Sequence, residues 1–180
     1  MKKIFSVALL VISVLISGCG NGDNAEDYVS SLKDGYTANV SVDEDGTAYT
    51  VRISKDDDGS VDMVFAEPSV LWGMGYSFEG DDSFLIYNDM NIELDQKVTE
   101  ASTGGVYRWY ELLKCDGEFT VSEDSVNGEK AVKLTNSNCD IYFDKETKKP
   151  LMLRSGKTVI TFDEWNGKNT DAQTTDVSTN

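Results

Sequence analysis

Three cysteines carry the most distinctive chemistry in this sequence, because no histidine accompanies them. The missing imidazole removes the commonest general base, and with it Ser-His-Asp and Cys-His catalysis and most zinc chemistry. Cys19 follows an apolar N-terminal segment, whereas Cys115 and Cys139 lie in the body of the chain. Acylation and disulfide formation are the reactions left to these thiols.

Carboxylates are abundant, with 32 Asp and Glu residues, but their spacing defines no active site. Neighbours such as Asp163 and Glu164 are expected by chance at this density, and no base accompanies them. The sequence also contains no glycine-rich phosphate loop and no nucleophile motif. We therefore expect neither an enzyme nor a bound cofactor.

Two acidic segments that end in glycine, 43–46 and 56–59, could offer oxygen ligands to calcium. Neither has the length or the closing bidentate glutamate of an EF-hand loop. The turns of β-hairpins are also rich in Asp and Gly. We interpret both segments as hairpin turns and expect no metal site, with calcium binding as the alternative.

The N-terminus has the order of a secretory signal: two lysines at 2–3, an apolar run over 4–16, and small residues at 17–18. A helix of about 13 residues rises roughly 20 Å, which is less than the ~30 Å hydrocarbon core of a membrane. The sequence therefore predicts a signal peptide over 1–18 rather than a transmembrane anchor.

The end of this signal, Ile-Ser-Gly-Cys at 16–19, resembles the lipobox of bacterial lipoproteins. The resemblance implies that the thiol of Cys19 receives a diacylglycerol and that cleavage occurs immediately before it. Two or three acyl chains anchor a protein far more stably than one. We expect a lipidated Cys19, a short tether over 19–24, and a location on the outer face of the cytoplasmic membrane, or at the outer membrane of a Gram-negative source. An ordinary signal peptide with a coincidental cysteine is the alternative.

The two remaining cysteines can be placed by a predicted hairpin that turns at Asn127 and Gly128. That hairpin sets Cys115 opposite Asp140, one position from Cys139. A one-residue bulge would bring the two sulfurs together, and oxidising surroundings outside the cytoplasm favour a disulfide. Two free buried thiols are the alternative.

The charge of the chain is strongly negative. The signal contains two of the 16 basic residues and none of the 32 acidic ones, which leaves a formal charge of −18 after its removal. Such a chain repels nucleic acids and anionic lipid headgroups, so we expect neither as a partner. We interpret the acidic residues as keeping an exported domain in solution, with an acidic binding surface as the alternative.

Hydrophobic periodicity predicts one largely β domain over 25–165. Helices are predicted over 25–33 and 98–114, and a polar, disordered tail over 166–180. Alternation with a period of two predicts antiparallel strands joined by short turns. Helical spacing in the second helix involves Val106, Trp109, Tyr110 and Leu113. The predicted strands are 36–42, 49–53, 61–65, 71–79, 83–88, 90–95, 118–123, 130–136, 139–144, 150–154 and 157–162.

A sheet with one apolar face needs a cover, which a second sheet, closure into a barrel, or helices on its concave side would supply. The two predicted helices favour the third solution. We therefore predict a mainly β (α+β) fold: a strongly curved antiparallel sheet forming an open half-barrel, with one or two helices covering its concave face.

One predicted strand carries large apolar side chains on a single face, opposite glycines at 73 and 75. These side chains could simply be core, with the glycines letting the sheet bend. They could also form the wall of a cavity, since aromatic and Met-rich surfaces suit adaptable, lipid-like ligands. The candidate wall residues are Trp72, Met74, Tyr76 and Phe78, together with Met63 and Phe65.

Residues 65–73, an apolar strand followed by proline, leucine and glycine, resemble a passage of the LolA/LolB-like lipoprotein-carrier superfamily. The strand order around it, the segment 109–113 and the ending 141–165 also follow that family. The chain looks most like its lipidated Gram-positive type, which includes the spore-germination lipoprotein GerS. The resemblance implies an open β-barrel with helices in its mouth, and in several branches that mouth takes lipid or acyl chains.

Two functions follow as hypotheses. The first is a non-enzymatic, membrane-anchored carrier or sensor that binds an acyl chain or other amphipathic ligand in the half-barrel mouth. The alternative is an interaction module, with a filled core and no ligand, that docks or regulates an envelope protein in cell-wall or spore-germination processes. A connected apolar cavity of several hundred Å³ would favour the carrier.

Overall fold

The computed structural model describes residues 24–88, 90–94 and 104–167. The predicted signal peptide, Cys19 and nearly all of the tether lie outside these ranges, so they stay predictions. Neither helix in the described part of the chain is both long and apolar enough to cross a bilayer.

The described strands form one antiparallel sheet of eleven strands, in the order β6-β5-β4-β3-β2-β1-β11-β10-β9-β8-β7. The first and last strands pair with each other near the middle, so two meanders are joined side by side. The sheet is open, because β6 and β7 at its ends each pair on one side only. The strands are β1 Tyr36–Glu44, β2 Thr47–Lys55, β3 Val61–Glu67, β4 Met74–Glu79, β5 Asp82–Tyr87, β6 Met90–Glu93, β7 Thr120–Val126, β8 Glu129–Thr135, β9 Asp140–Asp144, β10 Pro150–Ser155 and β11 Thr158–Gly167.

Alternating burial explains why these segments are strands. In β1 the side chains of Tyr36, Ala38 and Val40 are buried, whereas Thr37 and Ser41 between and after them are exposed. This period of two lets one face of the sheet pack while the other meets water. The alternation predicted for this strand is therefore confirmed.

Two-residue turns set the register of the hairpins. Asp45 and Gly46 between β1 and β2 have φ of 52° and 86°, and Asn127 and Gly128 between β7 and β8 have φ of 53° and 87°. Positive φ at both central residues matches the twist of a hairpin and favours Asn or Asp followed by Gly. The predicted turn at Asn127 and Gly128 is confirmed, and β7 pairs with β8 in the expected register.

Helix α1 (Ala25–Lys33) begins where the side chain of Asn24 accepts a hydrogen bond from the Glu26 amide, at 3.2 Å. It has the predicted bounds and packs against β10, and its Tyr28 ring lies 5.5 Å from that of Phe143 in β9. Helix α2 (Gly104–Leu113) buries the four residues predicted by helical spacing. The part of that prediction over 98–103 lies outside the described residues.

The core lies between the concave face of the sheet and the two helices, because the buried side chains of α1, α2 and the strands form one cluster. This arrangement confirms the predicted fold class, an open half-barrel with helices over its concave side. The C-terminal boundary of the domain differs from the sequence-based prediction. Strand β11 continues past the expected start of the tail, since Asn166 and Gly167 pair with Thr37 and Tyr36 of β1.

Candidate functional site

Helix α2 fills part of the concave face with aromatic side chains. The ring of Tyr110 stacks on Phe78 of β4, with centroids 4.2 Å apart and planes 7° from parallel. The Trp109 ring lies 6.2 Å from Phe65 and 5.4 Å from Tyr49. Such contacts exclude water and fix the helix against the sheet. This part of the concave face is therefore packed core.

Three of the six predicted wall residues belong to that packed core. Met63, Phe65 and Phe78 are each at least nine-tenths buried beneath α2. Met74 and Tyr76 share their strand face with Phe78 but are only partly buried at its margin. Burial raises the pKa of the Tyr76 hydroxyl. The predicted wall is thus covered at one end and only partly covered at the other.

Trp72 does not lie on this wall, and the prediction that it shares a strand with Met74 is wrong. A short 3-10 turn, Ser69–Leu71, precedes it, and Gly73 has a φ of 78° before β4 begins at Met74. The amide of Gly73 donates to the carbonyl of Phe65, at 3.2 Å. The change of backbone direction at Gly73 interrupts the alternation, and Trp72 is 72% exposed.

The concave face continues past Met74 and Tyr76 onto β5 and β6, the two strands at this end of the sheet. Tyr76 pairs with Leu85 of β5, and Leu85 pairs with Ile92 of β6. Paired residues of antiparallel strands point to the same face. The same register joins Met74 to Tyr87 and Met90. We call this set the outer strip: Met74, Tyr76, Leu85, Tyr87, Met90 and Ile92.

Exposure rises along the outer strip toward the sheet edge. Tyr87, Met90 and Ile92 are 44%, 53% and 48% exposed, and no described helix covers them. Val70 and Trp72, the two most exposed large apolar side chains among the described residues, come just before Met74, where β4 begins. Exposed apolar side chains that cluster in this way mark a contact surface. Sequence reasoning missed Leu85, Tyr87, Met90 and Ile92 as site residues, although the alternation over 82–93 pointed to them.

The two cysteines of the domain line a separate cavity of about 410 Å³ behind the C-terminal end of α2. Both are buried, and no bond joins them in this structure. The Cys115 thiol donates to the Leu112 carbonyl, and the Cys139 thiol to Oδ1 of Asn136, each at 3.6 Å. Burial raises the pKa of Cys115, with a smaller contribution from Cys139, and raises the pKa of Cys139 to about 11. In the reduced state, burial therefore favours the thiol over the thiolate at both residues.

The route by which the cysteines meet differs from the predicted one. Strand β8 ends at Thr135, and the Asn136 amide then donates to the Cys139 carbonyl, so Cys139 lies in the turn to β9. The side chain of Asn136 ties this turn to the end of α2 by donating to the Asp116 carbonyl, at 3.1 Å. Cys115 and Cys139 thus line one cavity without a bulge in the β7–β8 hairpin. Their disulfide stays a prediction.

The carboxylates of the two acidic turns form hydrogen bonds and an ion pair with neighbouring protein groups. Asp43 accepts from the Gly46 amide at 2.9 Å, and Asp58 accepts from the amide and hydroxyl of Ser60. Asp45 pairs with Lys157, at 2.7 Å. These contacts are those of hairpin turns. Within the described ranges, no three Cys, Asp or Glu side chains are grouped as metal ligands would be.

Comparison with solved structures finds similar chains at low sequence identity. No protein-family model matches the sequence, and no curated protein matches it. A LolA superfamily protein from Nitrosomonas europaea covers 81% of this chain and 94% of its own at 10% identity, with a TM-score of 0.40. A chain of the Pseudomonas aeruginosa MucA/MucB complex covers 82% of this chain at 13% identity and a TM-score of 0.45, and this chain spans 58% of it. An uncharacterized conserved protein from Thermus thermophilus has a TM-score of 0.53 at 13% identity, over 79% of this chain and 85% of its own, which shows that the two share a fold.

Proposed function

We propose that this chain is a lipid-anchored, extracytoplasmic lipoprotein that binds an acyl chain or another amphipathic ligand without catalysing a reaction. Its ligand lies along the outer strip, with Trp72 beside it. The anchor is the lipid on Cys19, and the location is the outer face of the cytoplasmic membrane, or the outer membrane of a Gram-negative source. The resemblance to the LolA/LolB-like superfamily, and to its lipidated GerS-like type, supports this proposal.

The observation that carries the proposal is the continuity of the concave face. One row of side chains runs from buried Met63 through half-buried Tyr76 and Leu85 to exposed Ile92. The row is apolar throughout, but α2 covers only its inner end. A flexible hydrocarbon chain lying along the outer end would remove these side chains from water and continue the core.

The expected strength of this contact can be estimated from area. Covering about 300 Å² of apolar surface contributes roughly 7 kcal/mol at ~25 cal/mol per Å², before the costs of association. Each further buried methylene adds about 0.8 kcal/mol, or close to a fourfold gain in affinity. A ligand that uses this face should therefore bind more tightly as its chain lengthens, until the strip is covered.

A series of fatty acids of increasing length, displacing a fluorescent acyl probe from the chain without its signal and lipid, tests this proposal. We expect affinity to rise with length and to fall in Ile92→Ser. Val121→Ser is the matched control, because Val121 is 39% exposed on β7, the opposite edge strand. Affinity that is independent of chain length, or equal losses in both variants, would contradict the proposal.

A protein partner is the second candidate, and the edge position of β6 favours it. Strand β6 pairs only with β5 and presents exposed Met90 and Ile92. An extended segment of an envelope protein could add to such an edge by backbone hydrogen bonds while its side chains contact the strip. In this case Asn91→Pro, which removes a backbone donor at the edge, should weaken partner binding more than acyl-probe binding.

A further inference from the structure

The part of the sheet that carries the outer strip contains no basic residue. From residue 56 to residue 96 the sequence has eleven Asp and Glu residues, and all 16 Lys and Arg residues of the chain lie outside this stretch. The stretch includes β3 to β6, and therefore the whole outer strip. The next basic residue, Lys97, lies outside the described residues. The strip is thus an apolar surface in the most acidic part of an acidic chain.

Basic residues of neighbouring elements do not compensate for this negative charge. Arg52 of β2 is exposed on the convex face, because the residues on either side of it belong to the buried core. Lys55 donates to the Leu32 carbonyl of α1 at 2.8 Å, and Lys114 of α2 pairs with Glu111 at 2.6 Å. Among the described residues, no carboxylate of β3 to β6 forms an ion pair. The charge of these carboxylates is therefore available to a ligand.

One end of the outer strip is both aromatic and acidic. The loop 66–72 is closed by a hydrogen bond from the amide that follows it to the carbonyl that precedes it, at 3.2 Å. Glu67 and Trp72 lie in this closed loop, and both are exposed. The chain then enters the strip at Met74, which pairs with the half-exposed Tyr87. Two accessible rings and a carboxylate therefore lie at the end of the strip where β4 begins.

This combination of groups favours a positive charge over a negative one. Tryptophan and tyrosine rings attract cations through their negative faces, and such rings bind quaternary ammonium groups. Farther along the strip, Glu79 is three residues from Tyr76, and Asp82 is three residues from Leu85. At ~3.3 Å per residue these acidic residues lie roughly 10 Å away, which is about one Debye length at 0.1 M salt. A charged headgroup anywhere on the strip therefore experiences their field.

We propose that the amphipathic ligand of the outer strip carries a positively charged headgroup, which lies against Trp72 and Tyr87 with Glu67 balancing its charge. The hydrocarbon chain of the ligand runs from Met74 along the strip. This inference rests on the proposed function, since it concerns the headgroup of the ligand held there. The occupant is a lipid-like amphiphile rather than a basic peptide. A basic peptide has charges along its length, whereas the strip has no carboxylate on its own face.

Three amphiphiles that share a twelve-carbon chain and differ in headgroup test the inference. They are dodecyltrimethylammonium as the cation, monolauroylglycerol as the neutral form and dodecanoate as the anion, each below its micelle concentration. Each displaces a neutral fluorescent acyl probe at pH 8 from the chain without its signal and lipid, which contains every described helix and strand. We expect the cation to bind most tightly and at least tenfold more tightly than the anion at low salt. This ratio should fall as salt rises.

Variants at the aromatic end locate the headgroup. Trp72→Leu should lower the preference for the cation over the neutral amphiphile at least threefold, and Glu67→Gln should lower it at least twofold. Glu129→Gln is the matched control, because Glu129 is an exposed carboxylate on β8, at the opposite side of the sheet. It removes the same charge and should leave the preference unchanged.

The outcomes separate this inference from the proposed function. Equal affinity for the three amphiphiles, tightest binding of the anion, or an unchanged preference in Trp72→Leu and Glu67→Gln would overturn the headgroup assignment and leave the acyl site standing. Stronger displacement by an amphipathic Leu- and Lys-rich peptide than by dodecyltrimethylammonium would overturn the assignment to a lipid-like ligand. Binding of none of the three amphiphiles would overturn both the inference and the proposed function.

Discussion

Replacing Phe78 by alanine tests whether α2 is locked onto the concave face as the structure shows. Phe78 is 2% exposed and stacks on Tyr110 with ring centroids 4.2 Å apart. Removing a buried phenylalanine side chain costs about 3–5 kcal/mol, through lost transfer energy and the cavity left behind. The ring pair itself accounts for about 0.5–1.5 kcal/mol of this. We expect Phe78→Ala to lower the free energy of unfolding by about 3–5 kcal/mol on this scale.

Urea unfolding followed by tyrosine and tryptophan fluorescence measures the change. Because whole domains are stable by only about 5–15 kcal/mol, Phe78→Ala can leave little folded protein. Phe78→Leu is therefore a milder companion, with a cost of about 1–2 kcal/mol. A double-mutant cycle of Phe78→Leu with Tyr110→Leu isolates the stack, and a coupling of about 0.5–1.5 kcal/mol is expected. A loss below about 1 kcal/mol in Phe78→Ala, where a packed core requires several, would refute the packing of α2 on β4.

Three further predictions concern other parts of the chain. Cys19→Ala should abolish incorporation of labelled fatty acid, and labelling at the wild-type level would contradict the lipid anchor. Alkylation of the unfolded, non-reduced protein from its native envelope should modify neither Cys115 nor Cys139, and two alkylated thiols would contradict the predicted disulfide. Burial opposes ionisation of Asp140, but hydrogen bonds from Lys133 and Thr135 outweigh burial and hold the pKa of Asp140 below its usual value of 3.8. The ionised carboxylate therefore stabilises the fold fully above pH 3.8, and this stabilisation is lost as the pH falls through the lowered pKa. Asp140→Asn should flatten the acid dependence of the free energy of unfolding between about pH 5 and pH 3, as followed by urea unfolding, whereas an unchanged acid dependence would contradict this role.

The parts of this fold that sequence predicts well are those fixed by local interactions. Helix α1 follows from its cap at Asn24 and its spacing of Tyr28, Val29 and Leu32. The hairpin at Asn127 and Gly128 follows from the backbone conformations that these two residue types accept. In both cases the determining contacts lie within a few residues along the chain.

The parts that sequence reasoning missed depend on contacts between distant segments. The alternation around Trp72 resembles that of a strand, but the 3-10 turn and Gly73 at positive φ break it. The pairing of β1 with β11 joins residues more than 100 positions apart and includes a register shift at Asn39 and Val40. No local pattern specifies such a register.

Four of the six residues of the outer strip were missed for the same reason. Leu85 and Ile92 become part of one surface with Tyr76 only when the registers of β4, β5 and β6 are known. Taken alone, the sequence of each of these strands predicts only an ordinary half-buried strand.

Native mass spectrometry of the chain purified with its envelope lipids, after gentle release from detergent, tests the central claim most directly. The account predicts an added mass of an acyl-bearing molecule, beyond the covalent anchor, on the wild type and on Val121→Ser. The double variant Tyr87→Ser with Ile92→Ser should lose that mass while keeping its fold, because nearly half of each residue is already exposed and neither belongs to the buried core. A wild type that carries no such molecule, or a double variant that retains it, would contradict the assignment of the outer strip as a site for acyl chains.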